Sequence, residues 1–415
     1  VILRKLSVLI LIITSFSCLA AEPIKLGLAT PMSGRYKEQG QSQVRGALLA
    51  VEEINRAGGV QGRPLELLIE NTASKSEKAE SAINDLIAKG AVFTFGGTSS
   101  EAALAASNVA SENKVIFVGA QGYSNDLTEE NAHKYFFRET YNARMAAKAL
   151  ALYLNDQLKD KKFFYMTADY QWGWSTEESL RSFTGSQDTN QHPGVKVQYP
   201  RPRLNNIRES LQQAQAARAD VLVLILFGED MSMALEEITR MDLKKTMTIV
   251  VPTLPLSSAR VAGAANIEGV IGTTPWYWRV PEKYGYTGAQ RFVQDFERKY
   301  SEFPSSAAAS TYSIVYQFRD AAESAGSLNS DKLVQELENH SYSLLKDTQV
   351  WRAFDHQNIQ SVYVVRGRHR DAVISSPLHS DFFEIVAHLE AQQVGISESE
   401  WRAIRQMAGK PATLE

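Results

Sequence analysis

The sequence predicts an α/β protein of two similar lobes, each a largely parallel sheet covered by helices. Three observations lead there. Short apolar runs alternate with amphipathic segments along most of the 415 residues, which is the pattern of parallel strands joined by crossover helices. The alternation runs to about residue 140 and then restarts. A chain of this length exceeds one ordinary core, so two series of βα units imply two lobes rather than one large sheet.

The elements follow in order. Residues 23–30, ending IKLGLAT, read as a first strand, and a polar turn to Gly40 follows. Val44, Ala47, Leu48, Val51 and Ile54 recur at helical spacing over 41–56, and the glycines of NRAGGVQG stop that helix. Residues 65–69 are the second strand and 76–89 another amphipathic helix. The stretch 91–128 organises the first lobe. It holds a strand ending in GGTSS, a helix rich in Ala, Leu and Val, a strand over 114–118, and a second small-residue loop, GAQGYS. In such a βαβ unit both loops lie at the carboxyl ends of neighbouring strands, where open α/β sheets bind ligands. Hydroxyls and free N–H groups at a helix N-terminus suit an anionic group such as a carboxylate.

Residues 136–140 end the first series. The second has helices over 142–158, 173–183, 205–218 and 231–241, alternating with strands over 162–167, 195–199, 220–227, 247–251 and 270–274. Helices at 288–300, 310–325 and 332–339 and a strand at 360–365 come next. The tail, 381–407, carries helical patches with no evident place in either lobe, and no internal sequence repeat is visible.

Composition bounds the partners. Hydrophobic residues are 44% and charged residues 22%, as in soluble globular proteins. A net charge of −3 with no long charged block leaves no electrostatic footprint for nucleic acid. At the N-terminus Arg4 and Lys5 precede an apolar run, 6–16, and small residues at Ser17, Cys18, Ala20 and Ala21. That run is too short to span a bilayer, so residues 1–21 read as a signal peptide cleaved after Ala20 or Ala21. Cys18 is the only cysteine. Ser15 and Phe16 before it fit a lipidation signal poorly, although an anchor there stays an alternative. Without it, disulfides, thiol catalysis and thiolate metal sites are excluded.

Several stretches together, IKLGLATPMSG, GALLAVEEINRAGGVQGRPLELL, GGTSSEAALAAS, YFFRETYNARMAAKALALYL, TADYQWGWS, EGVIGTTPW and WRAFDHQNIQSVYVV, resemble the periplasmic solute-binding proteins of the branched-chain amino acid class of ABC importers. The resemblance spans residues 24–368. It implies the type I periplasmic binding protein fold: two Rossmann-like lobes with parallel-rich sheets, joined by three crossings and closing about a hinge. The expected division is 22–140 with 278–350 as the first lobe, 141–277 with 351–375 as the second, and 376–415 as a C-terminal extension.

By that resemblance, Ser99 and Ser100, then Gln121, Gly122 and Tyr123, grip a ligand carboxylate from the first lobe. Gln39 falls where the class often places an aromatic over the ligand. From the second lobe come Trp172, an aromatic closing on the ligand, and Phe227 with Glu229 at the end of a strand. Trp276 and Tyr277 add aromatic character, with core packing the competing explanation for Trp276. Amino-acid binders of the class place an acid, facing the ligand ammonium, where this chain has Thr253-Leu254. Either Glu229 substitutes or the ligand is not an α-amino acid.

No zinc-ligand spacing, nucleophile elbow or phosphate-binding loop is present. His356, in the polar run DHQ, reads as a turn residue rather than a base. The expectation is an exported, monomeric periplasmic protein with no cofactor. It captures an amino acid, amide or carboxylate for an ABC permease, without chemistry. The alternatives are a periplasmic sensor feeding a chemoreceptor or sensor kinase, and a periplasmic enzyme on the same scaffold.

Overall fold

The computed structural model describes residues 21–415 except 156 and 159; the segment expected to be a signal peptide, through Ala20 and with Cys18, lies outside the described residues. The first sheet holds β1 (Ile24–Thr30), β2 (Leu65–Asn71), β3 (Phe93–Gly96), β4 (Phe117–Gly119) and β5 (Phe136–Arg138). All its strands are parallel, in the order β2-β1-β3-β4-β5. The second sheet contains β6 (Phe163–Ala168), β7 (Gly194–Val197), β8 (Val221–Ile225), β9 (Thr248–Val251) and β10 (Ile271–Thr274). These five are parallel and repeat the order of the first sheet, β7-β6-β8-β9-β10.

Three short strands, β11 (Ser341–Tyr342), β12 (Gln349–Trp351) and β13 (Asn358–Ile359), form a small antiparallel sheet. Then β14 (Val362–Gly367) joins the second sheet antiparallel to β10, and β15 (Phe383–Leu389) pairs antiparallel with β14. The segment of β15 belongs to the tail that reads as helical patches in the sequence; only Ala391–Val394 and Glu398–Met407 are helical there. FEIVAHL is a mixed run of apolar and polar residues, and its pairing with β14 rather than its local pattern makes it a strand.

The helices form for the reasons the periodicity suggests. Lys37–Arg56 buries Ala47, Ala50, Val51 and Ile54, while Leu48, expected on that face, is exposed with Leu49 buried in its place; the helix packs along Ser306–Ala325, which returns to the first lobe after the crossing at 275–280. Phe93 of β3 meets Phe318 at 5.0 Å between ring centroids. A glycine is required at Gly96, with φ of +130° and a Cβ that would stand 2.2 Å from the Ala29 carbonyl oxygen. One continuous buried apolar cluster runs through both lobes, and a smaller one lies under Ser76–Ala88 and Ser100–Glu112.

Side chains bind the crossings together. Arg138, fully buried, donates through Nε to Gln357 Oε1 at 2.6 Å and through a terminal nitrogen to the Gly122 carbonyl at 3.1 Å. Gln357 Nε2 donates to the Thr140 carbonyl at 2.7 Å. Burial lowers the Arg138 guanidinium to about 10 against the pull of Glu129 and Asp126. The tail makes one more link. β15 lies in the second sheet, yet Trp401 Nε1 donates to the Thr128 carbonyl at 2.8 Å and Arg405 to the Glu129 carbonyl at 2.7 Å. Both acceptors lie between β4 and β5, in the first lobe.

Candidate functional site

Each sheet has a topological switch point between its first and third strands, β1/β3 and β6/β8, where the chain turns opposite ways and leaves a crevice. The loops leaving those strands meet across the lobes. After β1, Arg35 NH1 lies 3.1 Å from Asp230 Oδ2 at the start of helix Gly228–Arg240, with both side chains about 10% exposed. The Tyr36 ring meets Phe227 edge-on at 5.8 Å, and its hydroxyl lies 3.4 Å from that of Tyr199. Gly228 (φ +58°) lies against that ring, and a Cβ would stand 3.3 Å from it. Burial pushes the Asp230 carboxyl above its usual range although Arg35 pulls it down.

The first-lobe loops are held by a hydrogen-bond chain. Thr30 Oγ1 donates to Gln43 Oε1 at 2.7 Å; Gln43 Nε2 donates to the Gly97 carbonyl at 3.0 Å and to Gln121 Oε1 at 3.1 Å. Gln121 Nε2 donates in turn to the Tyr123 hydroxyl at 3.2 Å. Ser99 caps helix Ser100–Glu112 by accepting from the Ala102 N–H, satisfying one of that helix's free donors. Ser100 Oγ accepts from the Ser124 N–H at 3.0 Å. Both serine oxygens thus accept within the loop, while their O–H groups are free to donate. The hydroxyl without any partner is that of Thr98, buried beside them.

Tyr123 packs 5.5 Å from Tyr141 and 6.1 Å from Phe227, and burial raises its phenol. Gly122 is a packing position, since a Cβ would meet Leu127 at 2.7 Å. In the second lobe Trp172 is 2% exposed, meets Phe227 edge-on at 6.1 Å, and has an indole N–H with no partner. Thr253, Ser257 and Ser258, in the loop and helix start after β9, are buried with unpartnered hydroxyls, and Gln39 has neither amide atom bonded. Burial is the main cause raising the Tyr141 phenol to about 12, opposed by the neighbouring Thr273 and Thr253 side chains. Buried polar groups without partners are uncommon, and several stand on the strand-end loops of both lobes.

The structure does not bring every expected residue together. Glu229 is exposed, and its neighbour Asp230 is the buried acid. Trp276 donates to the Leu345 carbonyl at 3.1 Å, meets Phe292 at 5.7 Å, and lines a cavity of about 20 Å³ among the crossings with Glu139 and Lys346. Tyr277 donates to Asp381 of the tail at 2.9 Å. His356 sits in the turn before β13, fully buried, stacked on Phe137 at 3.8 Å, with Nε2 3.0 Å from Glu338. Among the described residues no group of three or more His, Asp or Glu side chains is placed to hold a metal ion, and no helix is long and apolar enough to cross a membrane.

Arg35, Asp230 and Thr98 were missed in the sequence. Opposite charges in the loops after the first strand of one lobe and the third strand of the other were the available signal for the ion pair.

Comparison with known proteins agrees with this architecture. A family model described as periplasmic binding protein matches residues 23–372. The leucine-, isoleucine-, valine-, threonine- and alanine-binding protein of Pseudomonas aeruginosa is 27% identical over 179 residues, which is 43% of this chain and 46% of that protein. Leu/Ile/Val-binding protein homolog 4 of Brucella melitensis is 22% identical over 350 residues, 81% of this chain and 82% of the relative. The chain thus spans less than half the length of the first curated relatives it matches, and most of the longer one. A crystal structure of a periplasmic binding protein from Burkholderia mallei superposes with a TM-score of 0.81 at 25% identity, covering 92% of this chain and 98% of the other.

Proposed function

The chain belongs to the periplasmic binding protein family, and we propose that it is an exported, monomeric protein that captures one small organic solute between its lobes by hinge closure. The closed form then presents the solute to an ABC permease of the inner membrane, and no bond of the solute is made or broken. The observation that carries this reading is the set of buried, unpartnered polar atoms on the strand-end loops and following helix starts of both lobes: Gln39 and Thr98 on one, Trp172 and Thr253 on the other. A solute bonded to both sets has more contacts in the closed form than in the open one. That differential affinity is what shifts the lobes toward closure.

Gln39, Ser99, Ser100, Gln121, Tyr123, Trp172, Phe227 and Thr253 form the proposed ligand shell, Gly122 keeps its loop close-packed, and Trp276 belongs with the hinge. The curated relatives named above are leucine-, isoleucine- and valine-binding proteins, which supports a solute of that size. A thermal-shift screen of amino acids, amides and carboxylates tests capture. A ligand at a hundredfold its Kd stabilises by about 2.7 kcal/mol. Solution scattering on the hit should show a smaller radius at saturation, and an unchanged radius overturns hinge closure.

A further inference from the structure

Once the lobes exclude water, a solute bearing an ammonium group needs a carboxylate beside it, because an unpaired buried charge is costly. The buried carboxylates among the described residues are Asp126, Glu129, Glu139, Asp230, Glu237, Asp355 and Asp381. Five are engaged away from the switch points. Asp126 accepts from Ser124 and Asn131, Glu129 from Arg144, and Asp355 from Arg352. Glu237 is held by Arg208 and Arg240, and Asp381 by Arg279 and Arg368. Asp230 reaches the interlobe boundary, but Arg35 occupies it. Glu139 lies among the crossings, where burial raises its carboxyl and the nearby Ser310, Gln349 and Ser313 side chains and the Lys346 ammonium pull it back. Glu229 and Asp169, also at this end of the second sheet, are exposed, and Asp169 accepts from Trp174 Nε1 at 2.9 Å.

What the strand-end loops and the first turns of the helices after them leave unsatisfied is, Arg260 NH1 apart, neutral: the Gln39 amide, the Thr98, Thr253, Ser257 and Ser258 hydroxyls and the Trp172 N–H. The rings of Tyr36, Tyr123 and Trp172 each meet that of Phe227. Resting on the reading of solute capture, we propose that the cleft selects a small acid or amide that has a hydroxyl or hydrogen where an amino acid has its ammonium group. The carboxylate or amide end meets the N-terminus of helix Ser100–Glu112 with its free O–H donors. The apolar body lies against the rings, and the Thr253 side receives a neutral group.

The test is calorimetric titration of the purified protein with matched pairs. They are leucine against 2-hydroxy-4-methylpentanoate, phenylalanine against 3-phenyllactate and 3-phenylpropanoate, and glutamine against glutaramate. The expected result is that an ammonium-free member binds at least a hundredfold tighter than its amino acid, with no pair reversed. Trp172→Ala should weaken that binding at least tenfold. An amino acid that binds as tightly as its partner, and loses affinity in Trp172→Ala, overturns the solute class while leaving capture in the cleft intact. Binding by no member of any pair also overturns the class. Failure of capture itself is read separately, as binding that neither compacts the protein in scattering nor responds to Trp172→Ala.

Discussion

The two lobes share a strand order and differ in how their strand-end loops are held. In the first lobe a chain of hydrogen bonds from Thr30 through Gln43 to Gln121 and Tyr123 fixes the loops, and Ser99 and Ser100 accept backbone N–H groups. In the second lobe the corresponding loops rest on ring packing. Tyr170 stacks on Tyr199 at 3.8 Å, Trp172 lies edge-on to Phe227, and Thr253, Ser257 and Ser258 have no partner. The first is a platform whose polar groups are ordered before any solute arrives; the second is an apolar lid with free hydroxyls. Ordering part of a site in advance lowers the entropic cost of binding, so one repeated topology serves two tasks.

The largest effect expected from this contrast is at Trp172. Trp172→Ala should lower solute affinity by about 2 kcal/mol or more, as buried aromatic anchors do, whereas Trp172→Phe should retain most of it. Calorimetry on both variants checks this, and equal losses in the two would shift the weight from the ring to the indole N–H. The next effect is at the latch between lobes. Asp230→Asn leaves the Arg35 charge without its partner in a nearly buried place, and breaking such a pair costs about 3–5 kcal/mol in the state that buries it. Under the proposed hinge closure only the closed form does so, so scattering should show a larger radius at the same solute concentration, with the melting of the separated lobes little changed.

A third expectation separates the lobes by pH. Burial lowers the first-lobe His133 from 6.5 to about 4, and neither ring nitrogen has a hydrogen-bond partner. The folded pKa is depressed, so the folded form binds fewer protons than the unfolded chain between those values. The stability contributed by the neutral ring is fully present above pH 6.5 and is lost as pH falls through about 4. Hydrogen exchange should show β4 and β5 losing protection on acidification before β8 and β9 do, and His133→Phe should remove that difference. The smallest effects distinguish neighbouring hydroxyls. Ser99→Ala should cost about 1 kcal/mol of stability as a lost cap and also weaken binding, since it removes one of the O–H donors offered to the solute. Thr98→Val should leave stability nearly unchanged, with about 0.5–1.5 kcal/mol lost from binding.

Most of the architecture was legible before the coordinates. Strands such as DVLVLILF are buried on both faces and read as continuous apolar runs, and the second round of alternation marked the second lobe. The repeat of strand order was not legible, because equivalent positions carry unlike residues: Ser99 follows the third strand of one sheet and Phe227 that of the other. β15 was missed since only pairing with β14 distinguishes it from a helical patch.

The site was legible to the level of loops and not of atoms. Local sequence places Thr98, Ser99 and Ser100 together, but which hydroxyl stays free depends on Ser124 and Ala102 coming close in the fold. The same holds at GED, where Gly228 starts a helix whose phase buries Asp230 and exposes Glu229. Tryptophan content could indicate burial, yet Trp172 and Trp276 are buried at different places, one between the lobes and one among the crossings.

The tail that pairs β15 with the second sheet and anchors Trp401 and Arg405 on the first lobe has a geometric consequence. A hinge of crossings packed together behaves like a flexible cord, free to bend and also to twist. An additional tether fastened at a distance turns the cord into a strip, which resists twisting far more than bending. Under the proposed hinge closure, opening is thereby confined near one arc, and the lobes return along it in register. Arg35 then finds Asp230, and Phe227 finds Tyr36, without a search over relative rotations of the two halves.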